Sequence, residues 1–176
     1  WIGGDFTSSN WNLGNTTLSV SDTSGDSDAF LMKLDTNGQI IWARSFYSGF
    51  NESLWKLSPL PGGKMAAAFV SDGYFISIPP YFLINDYSEN FLAVFNADGT
   101  TKWAKAIETT GTCDIATTPS GNIIFNSAFF PDSINVDGQI ILARTDLGWR
   151  GTNLFASFDS IGNLNWARTN FADYYL

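Results

Sequence analysis

The 176-residue sequence predicts an all-β protein built from repeated small antiparallel sheets, and three observations carry that prediction. The first is a triple repeat without gaps: FLMKLDTNGQIIWAR at 30–44, FLAVFNADGTTKWAK at 91–105 and LFASFDSIGNLNWAR at 154–168. Aligned on Gly38, Gly99 and Gly162, each copy places a tryptophan four residues later (Trp42, Trp103, Trp166), followed by Ala and then Arg44, Lys105 or Arg168. The spacing is 61 and 63 residues. Such a period, filled with strand-like pieces, belongs to architectures whose units cannot bury their faces alone and stack to make a core. The second observation is that both faces of the repeated strand are apolar. Phe30, Met32 and Leu34 alternate with Leu31 and Lys33, and Phe91, Ala93 and Phe95 with Leu92 and Val94. A strand apolar on both sides is sandwiched between neighbouring sheets. The third is the turn chemistry. DTNG, NADG and DSIG open with Asp or Asn and end on a Gly suited to the left-handed position of a three-residue hairpin loop.

The remaining elements follow in order. An apolar strand precedes each repeated hairpin at 1–6 (WIGGDF), 64–70 (KMAAAFV) and 122–130 (NIIFNSAFF). The last two follow the turns PLPGG and TTPSG, themselves preceded by SLWKLS and CDIATT. Units two and three therefore read as four-stranded antiparallel meanders with an insertion, while unit one lacks its opening strand. The unit boundaries fall at about 1–46, 52–107 and 113–170, with 171–176 (FADYYL) reading as the start of a further unit. The insertions are a weaker repeat of short hairpins, WNL-GN-TTL, ISI-PP-YFL and INV-DG-QIIL, the last with the strong Asp137-Gly138 turn signal. If Asp35 closes its loop against Gln39, simple pairing puts Trp42 opposite Met32, Trp103 opposite Ala93 and Trp166 opposite Ala156. All three tryptophans are then expected in equivalent buried positions, each with the cation two residues on lying over its ring.

Composition excludes several classes of function. The chain is 44% hydrophobic, 16% aromatic and only 15% charged, which describes a folded protein rather than a disordered one. A net charge of -8 with nine scattered basic residues leaves no basic stripe to hold a phosphate backbone, so nucleic acid is not an expected partner. No apolar run approaches the roughly 20 residues of a membrane helix, so direct membrane insertion is not expected either. Histidine is absent, which removes Ser/His/Asp and Cys/His catalysis and every His-ligated metal site. The single cysteine, Cys113, reads as a small core hydrophobe. The chain opens at Trp1 without an initiator Met, which reads as a processed product or a piece of something longer.

Candidate sites lie in the loops after the inserted hairpins, which differ in length and character as a variable binding face does. Trp11, Tyr81, Tyr87 and Trp149 are the aromatic candidates for ligand contact there. Asp22, Asp26 and Asp28 form the densest acidic group, a candidate calcium loop, although their spacing misses the usual D-x-[DN]-x-[DN]-G pattern. Asp35, Asn96 and Asp159 are read as turn residues rather than ligands, and no other cofactor is expected. Carboxylates beside aromatics, Asp132, Asp137 and Asp146 near Trp149 and Asp86 and Glu89 beside Tyr87, are the residues a glycoside-cleaving enzyme would use.

The string DAFLMKLDTNGQIIWARSF resembles the bacterial seven-bladed β-propeller repeat family, in which an Asp-Ala-Phe strand, an Asp-x-x-Gly turn and a Trp-Ala-Arg strand recur. The resemblance extends over all three units and is loosest in the third, where Thr152-Asn153-Leu154 stands for Asp28-Ala29-Phe30. It implies a β-propeller of secreted or cell-surface bacterial proteins and transfers no catalytic residue. Three blades do not close a ring that needs four to eight. The expectation is either part of a larger propeller, which the offset ends favour, or several chains assembling, with the remaining blades of the same chain or other protomers as partners. Isolated, the segment is expected to expose Phe30, Leu31, Leu154 and Phe155. The expected function is a non-catalytic extracellular or cell-surface scaffold whose loops bind protein or glycan. The alternatives are a carbohydrate-active enzyme and a purely structural repeat of a surface stalk or adhesin.

Overall fold

The computed structural model describes residues 1–7, 9–19, 25–84, 90–130, 132–143 and 152–170, and among these the chain is all-β, with no α-helix. Unit one comprises β1 (Ile2–Phe6), a separate ribbon of β2 (Asn10–Asn12) and β3 (Thr17–Ser19), then β4 (Asp28–Leu34) and β5 (Ile40–Phe46), with sheet order β1-β4-β5. Unit two comprises β6 (Glu52–Leu60), β7 (Lys64–Ser71), the ribbon β8 (Phe75–Ile78) and β9 (Tyr81–Ile84), β10 (Asn90–Phe95) and β11 (Thr101–Ile107), ordered β11-β10-β7-β6. Unit three repeats the plan with β12 (Thr110–Thr117), β13 (Ile123–Phe129), the ribbon β14 (Ser133–Val136) and β15 (Gln139–Leu142), β16 (Thr152–Phe158) and β17 (Leu164–Asn170), ordered β12-β13-β16-β17. Each ribbon is the short hairpin read from sequence. In the third, Asp137 and Gly138 both take positive φ, 54° and 87°, as a two-residue turn with the twist of its strands demands. The segment 171–176 lies outside the described residues.

The sheets stack face to face in chain order, which is why both strand faces are apolar. Ala29, Leu31 and Phe46 of unit one meet Ala67, Phe69, Phe91, Ala93 and Phe95 of unit two in one cluster. The opposite side of unit two, through Ala66, Ala68, Leu92, Val94 and Trp103, meets Ile123, Phe125, Leu154, Ala156 and Phe158 of unit three. Small residues set the spacing: a Cβ on Gly3 would stand 2.8 Å from Leu54 of the next sheet. Fully buried rings such as Phe69, Phe95 and Phe125 then fill the layer, each contributing roughly 1.5–3 kcal/mol. We call the side of each sheet that meets the following unit its forward face and the other its rear face. Every ribbon folds back over the rear face of its own unit: Ile76 and Ile78 join the first junction, and Ile134, Val136 and Ile141 the second. On the rear of unit one, Leu18 and Trp11 cover Phe6, Phe30 and Met32. The expected exposure of Phe30, Leu31 and Leu154 is therefore corrected, since all three are buried, Phe30 under its ribbon and the two leucines at sheet junctions. Phe155 is half-buried.

The hairpin register is also corrected, by one residue. The loop closes as expected: the Asp35 N–H donates to the Gln39 carbonyl at 2.9 Å and the Gly38 N–H to that of Asp35 at 3.2 Å. The ladder then shifts between Lys33 and Leu34, and equivalently between Val94 and Phe95 and between Ser157 and Phe158. Ile41, Lys102 and Asn165 are the extra residues, so Trp42, Trp103 and Trp166 stand opposite Lys33, Val94 and Ser157. A bulge commonly follows a three-residue loop whose last residue is left-handed, and a one-residue slip moves a side chain to the other face. All three indoles are thereby aimed forward, toward the next unit, and not rearward with Met32.

Candidate functional site

The forward-facing indoles do one job twice. Trp42 lies on the turn of unit two, where a Cβ on Gly99 would come within 2.7 Å of the ring, and its indole N–H points at the Ala97 carbonyl at 3.4 Å. Trp103 repeats this on unit three: Gly162 lies under the ring, with 3.0 Å to a Cβ there, and the indole N–H points at the Ser160 carbonyl at 3.3 Å. A lysine joins each contact, Lys33 of β4 donating to the Ala97 carbonyl at 2.8 Å and Lys102, beside Trp103 on β11, to that of Ser160 at 2.6 Å. The expectation of three equally buried tryptophans is corrected. Trp103 is 6% exposed, Trp42 half-buried, and Trp166, with no such turn beneath it among the described residues, 37% exposed. The cation over the ring is found in the third copy alone, with Arg168 5.8 Å from the Trp166 centroid, while Lys105 lies over Phe158 of the next sheet and pairs with Asp137.

The aromatic loop candidates separate. Trp11 packs edge-on against Phe30 at 5.1 Å and beside Phe6, so one face of it is committed to the fold. Tyr81 donates its hydroxyl to the Lys102 carbonyl at 3.2 Å and packs against the first junction. Tyr87 and Trp149 lie outside the described residues, as do Asp22, Asp86, Glu89 and Asp146. Asp28 is buried at the start of β4, and Asp26 is half-buried. No group of three possible metal ligands is found among the described residues. Asp35 and Asp159 serve their turns, each accepting two backbone N–H groups at 2.8–2.9 Å. In unit two, Asp98 takes over part of that task by accepting from Thr100 at 2.9 Å, and Asn96 bonds the Thr100 hydroxyl.

Among the described residues, a recess lies away from all the aromatic loop candidates. Between β6 and β12, Trp55, Lys56, Thr112, Cys113, Asp114 and Asn126 line a groove of about 290 Å³. A shallower hollow of about 260 Å³ continues from Asp114 and Asn126 over Ala116, Ile124 and Phe155, on the forward face of unit three. Trp55 is 43% exposed because it is the unpaired residue of a bulge: Leu54 pairs with Phe69 and Lys56 with Ala68, which turns the indole out of the ladder. A signal existed in SLWKLS. Leu54 and Leu57 both face the first junction, and two inward leucines three residues apart require one extra residue between them. Lys56 and Asp114 approach to 3.6 Å across the groove, and Asn126 donates to the Leu154 carbonyl at 2.8 Å. Cys113 contributes to the wall, but its side chain is buried and burial pushes the thiol up to about 12, so it is no nucleophile.

A second polar group lies deeper. Glu52, fully buried at the first junction, accepts the Ser48 N–H at 2.8 Å, the Ser48 hydroxyl, and the Ser71 hydroxyl at 2.9 Å. Burial pushes its carboxyl up to about 7 despite these donors, and Asp28 nearby adds to the rise. No path from solvent reaches a residue with zero exposure, so the group holds structure together. The second junction carries a neutral counterpart in which the Asn90 amide bonds Thr109 and Ser127 at 3.1 Å. No family model matches the chain, and no curated protein shows significant similarity to it.

Proposed function

We propose that the protein is a non-catalytic, secreted or cell-surface β-propeller segment of the bacterial repeat type that its Trp-Ala-Arg hairpins resemble, and that it binds a glycan in the groove beside Trp55. The observation that carries this reading is the bulge that turns a large aromatic face outward next to Lys56, Asp114 and Asn126. A flat apolar ring flanked by hydrogen-bonding groups in an open groove suits a sugar, whose C–H face stacks while its hydroxyls are bonded. Three sheets stacked in chain order, the middle one buried on both faces by its neighbours, support the propeller reading, because blades of a propeller meet one another in that way. Titration of purified protein with soluble polysaccharides is expected to give saturable binding. Trp55→Ala is expected to weaken it at least about tenfold, equivalent to 1.4 kcal/mol, with unchanged melting temperature. Equal affinity of the variant, or no binding to any polysaccharide tested, would overturn the reading.

Turnover is not expected at this groove. Glycoside cleavage uses two carboxyl groups about 5–10 Å apart, whereas Asp114 is the one carboxylate among the lining residues and it faces Lys56. Asp114→Asn is expected to change affinity alone. Release of reducing ends from a bound polysaccharide, abolished by that substitution, would establish the enzyme instead.

A further inference from the structure

Building on the glycan reading, we infer that the groove beside Trp55 selects uncharged sugar chains with two adjacent free hydroxyls, which Lys56 and Asp114 hold as a pair. Strand register makes these two residues equivalent in successive units. Lys56 pairs with Ala68 and through it with Leu92, and Asp114 pairs with Asn126 and through it with Phe155, the same place in the repeat. Opposite charges therefore occupy one position of β6 and β12, and they meet across the groove at 3.6 Å with side chains 47% and 66% exposed. That gap is wider than a charge-assisted hydrogen bond of about 2.7–2.9 Å, and an ion pair so open to water adds little to the hold between units. Both groups keep their capacity for a ligand. Asp114 accepts the Ile115 N–H at 2.9 Å with one carboxylate oxygen and has the other to offer, while the Lys56 ammonium is a donor in several directions.

Two neighbouring ring hydroxyls complete this arrangement, one accepting from Lys56 and the other donating to Asp114, while the C–H face of the same ring lies on Trp55. Bulges in both strands bring these parts together. Trp55 is the extra residue just before Lys56 in β6, and Gly111 and Thr112 are the extra residues just before Cys113 and Asp114 in β12, which places Thr112 in the wall. The Asn126 amide nitrogen is fixed on the Leu154 carbonyl at 2.8 Å, so the amide oxygen is left to accept from a further hydroxyl. A charged sugar fits badly. The carboxylate of a uronate meets Asp114, the ammonium of an amino sugar meets Lys56, and no third charged residue lines the groove to offset either repulsion. The net charge of -8 adds a general repulsion of polyanions. Linkage of hexoses through carbons one and four keeps the hydroxyls of carbons two and three side by side on every ring. Linkage through carbons one and three leaves no adjacent free pair within the chain.

Calorimetric titration of the full chain with soluble polymers tests this selectivity. The neutral set is a glucan, a mannan and a galactan, all linked through carbons one and four; the comparison set is a glucan linked through carbons one and three, and polygalacturonate. Binding is expected within the neutral set, with the comparison polymers at least about tenfold weaker, the loss of one hydrogen bond to a charged group. Lys56→Met and Asp114→Asn are each expected to bring the best neutral polymer down to the level of the glucan linked through carbons one and three, with unchanged melting temperature. Asp114→Asn is also expected to gain affinity for polygalacturonate, because Lys56 then faces the uronate without a competing carboxylate. Trp55→Ala is expected to weaken every polymer. Comparison polymers that bind within tenfold of the neutral set, or a preference that survives both charge substitutions, would overturn the inference while leaving the glycan reading in place. Failure of every polymer to bind removes the glycan reading and this selectivity with it.

Discussion

Gly99→Ala is expected to destabilise the protein by about 3 kcal/mol, while the same change at Gly38 costs about 1 kcal/mol and at Gly162 an intermediate amount. All three glycines hold left-handed φ, where a side chain adds strain of order 1 kcal/mol. The added Cβ meets nothing at Gly38, approaches Trp103 to 3.0 Å at Gly162 and would stand 2.7 Å from the Trp42 ring at Gly99. Forcing apart a packed contact of that kind typically costs a further 1–3 kcal/mol. Urea denaturation of the three variants measures the series. Equal losses at the three positions would mean that the turns act alone and that the indoles do not clamp one unit to the next.

Raising the pH through the interval from 4.5 to about 7 is expected to cost stability through Glu52. The unfolded carboxyl releases its proton near the ordinary value of 4.5, whereas in the folded chain burial holds the proton until about 7. Between these values the folded state binds more protons than the unfolded state, so stability falls as pH rises. Below the interval both states are protonated and the loss is absent; above it the loss is complete, at most about 3 kcal/mol. Glu52→Gln keeps the shape, and its amide can donate to the Ser48 or Ser71 hydroxyl, but it cannot ionise. Its advantage over the parent protein is therefore expected to be small at pH 4.5 and to grow through pH 8, read as the gap between their melting temperatures. A constant gap would show that Glu52 ionises normally in the folded protein.

Neither effect is written in a local motif. Glu52 occurs in the sequence as the middle of Asn51-Glu52-Ser53, an ordinary polar turn by composition. Its burial follows from the docking of β6 and β7 against unit one, which closes the space around Ser48 and Ser71. Trp55 is the reverse case, an aromatic in an apolar strand segment that composition assigns to the core and a bulge turns outward. The groove beside it draws on β6 and β12, from different units, so no single stretch of sequence displays it.

Period-two alternation and turn chemistry act over a few residues, and these determine the all-β class, the strands, the inserted hairpins and the closure of each Asp-x-x-Gly loop. Composition alone likewise excludes histidine-based catalysis. Which neighbour each face meets was decided elsewhere. The bulge after each loop moves Trp42, Trp103 and Trp166 to the forward face, and stacking then sets their burial by whether another turn lies beneath them. Lys33 and Lys102 reach equivalent turn carbonyls from inequivalent positions, a convergence that alignment of the repeats does not contain. A strand's own residues specify its two faces, but contacts between sheets some 60 residues apart depend on the register and spacing of the assembled stack.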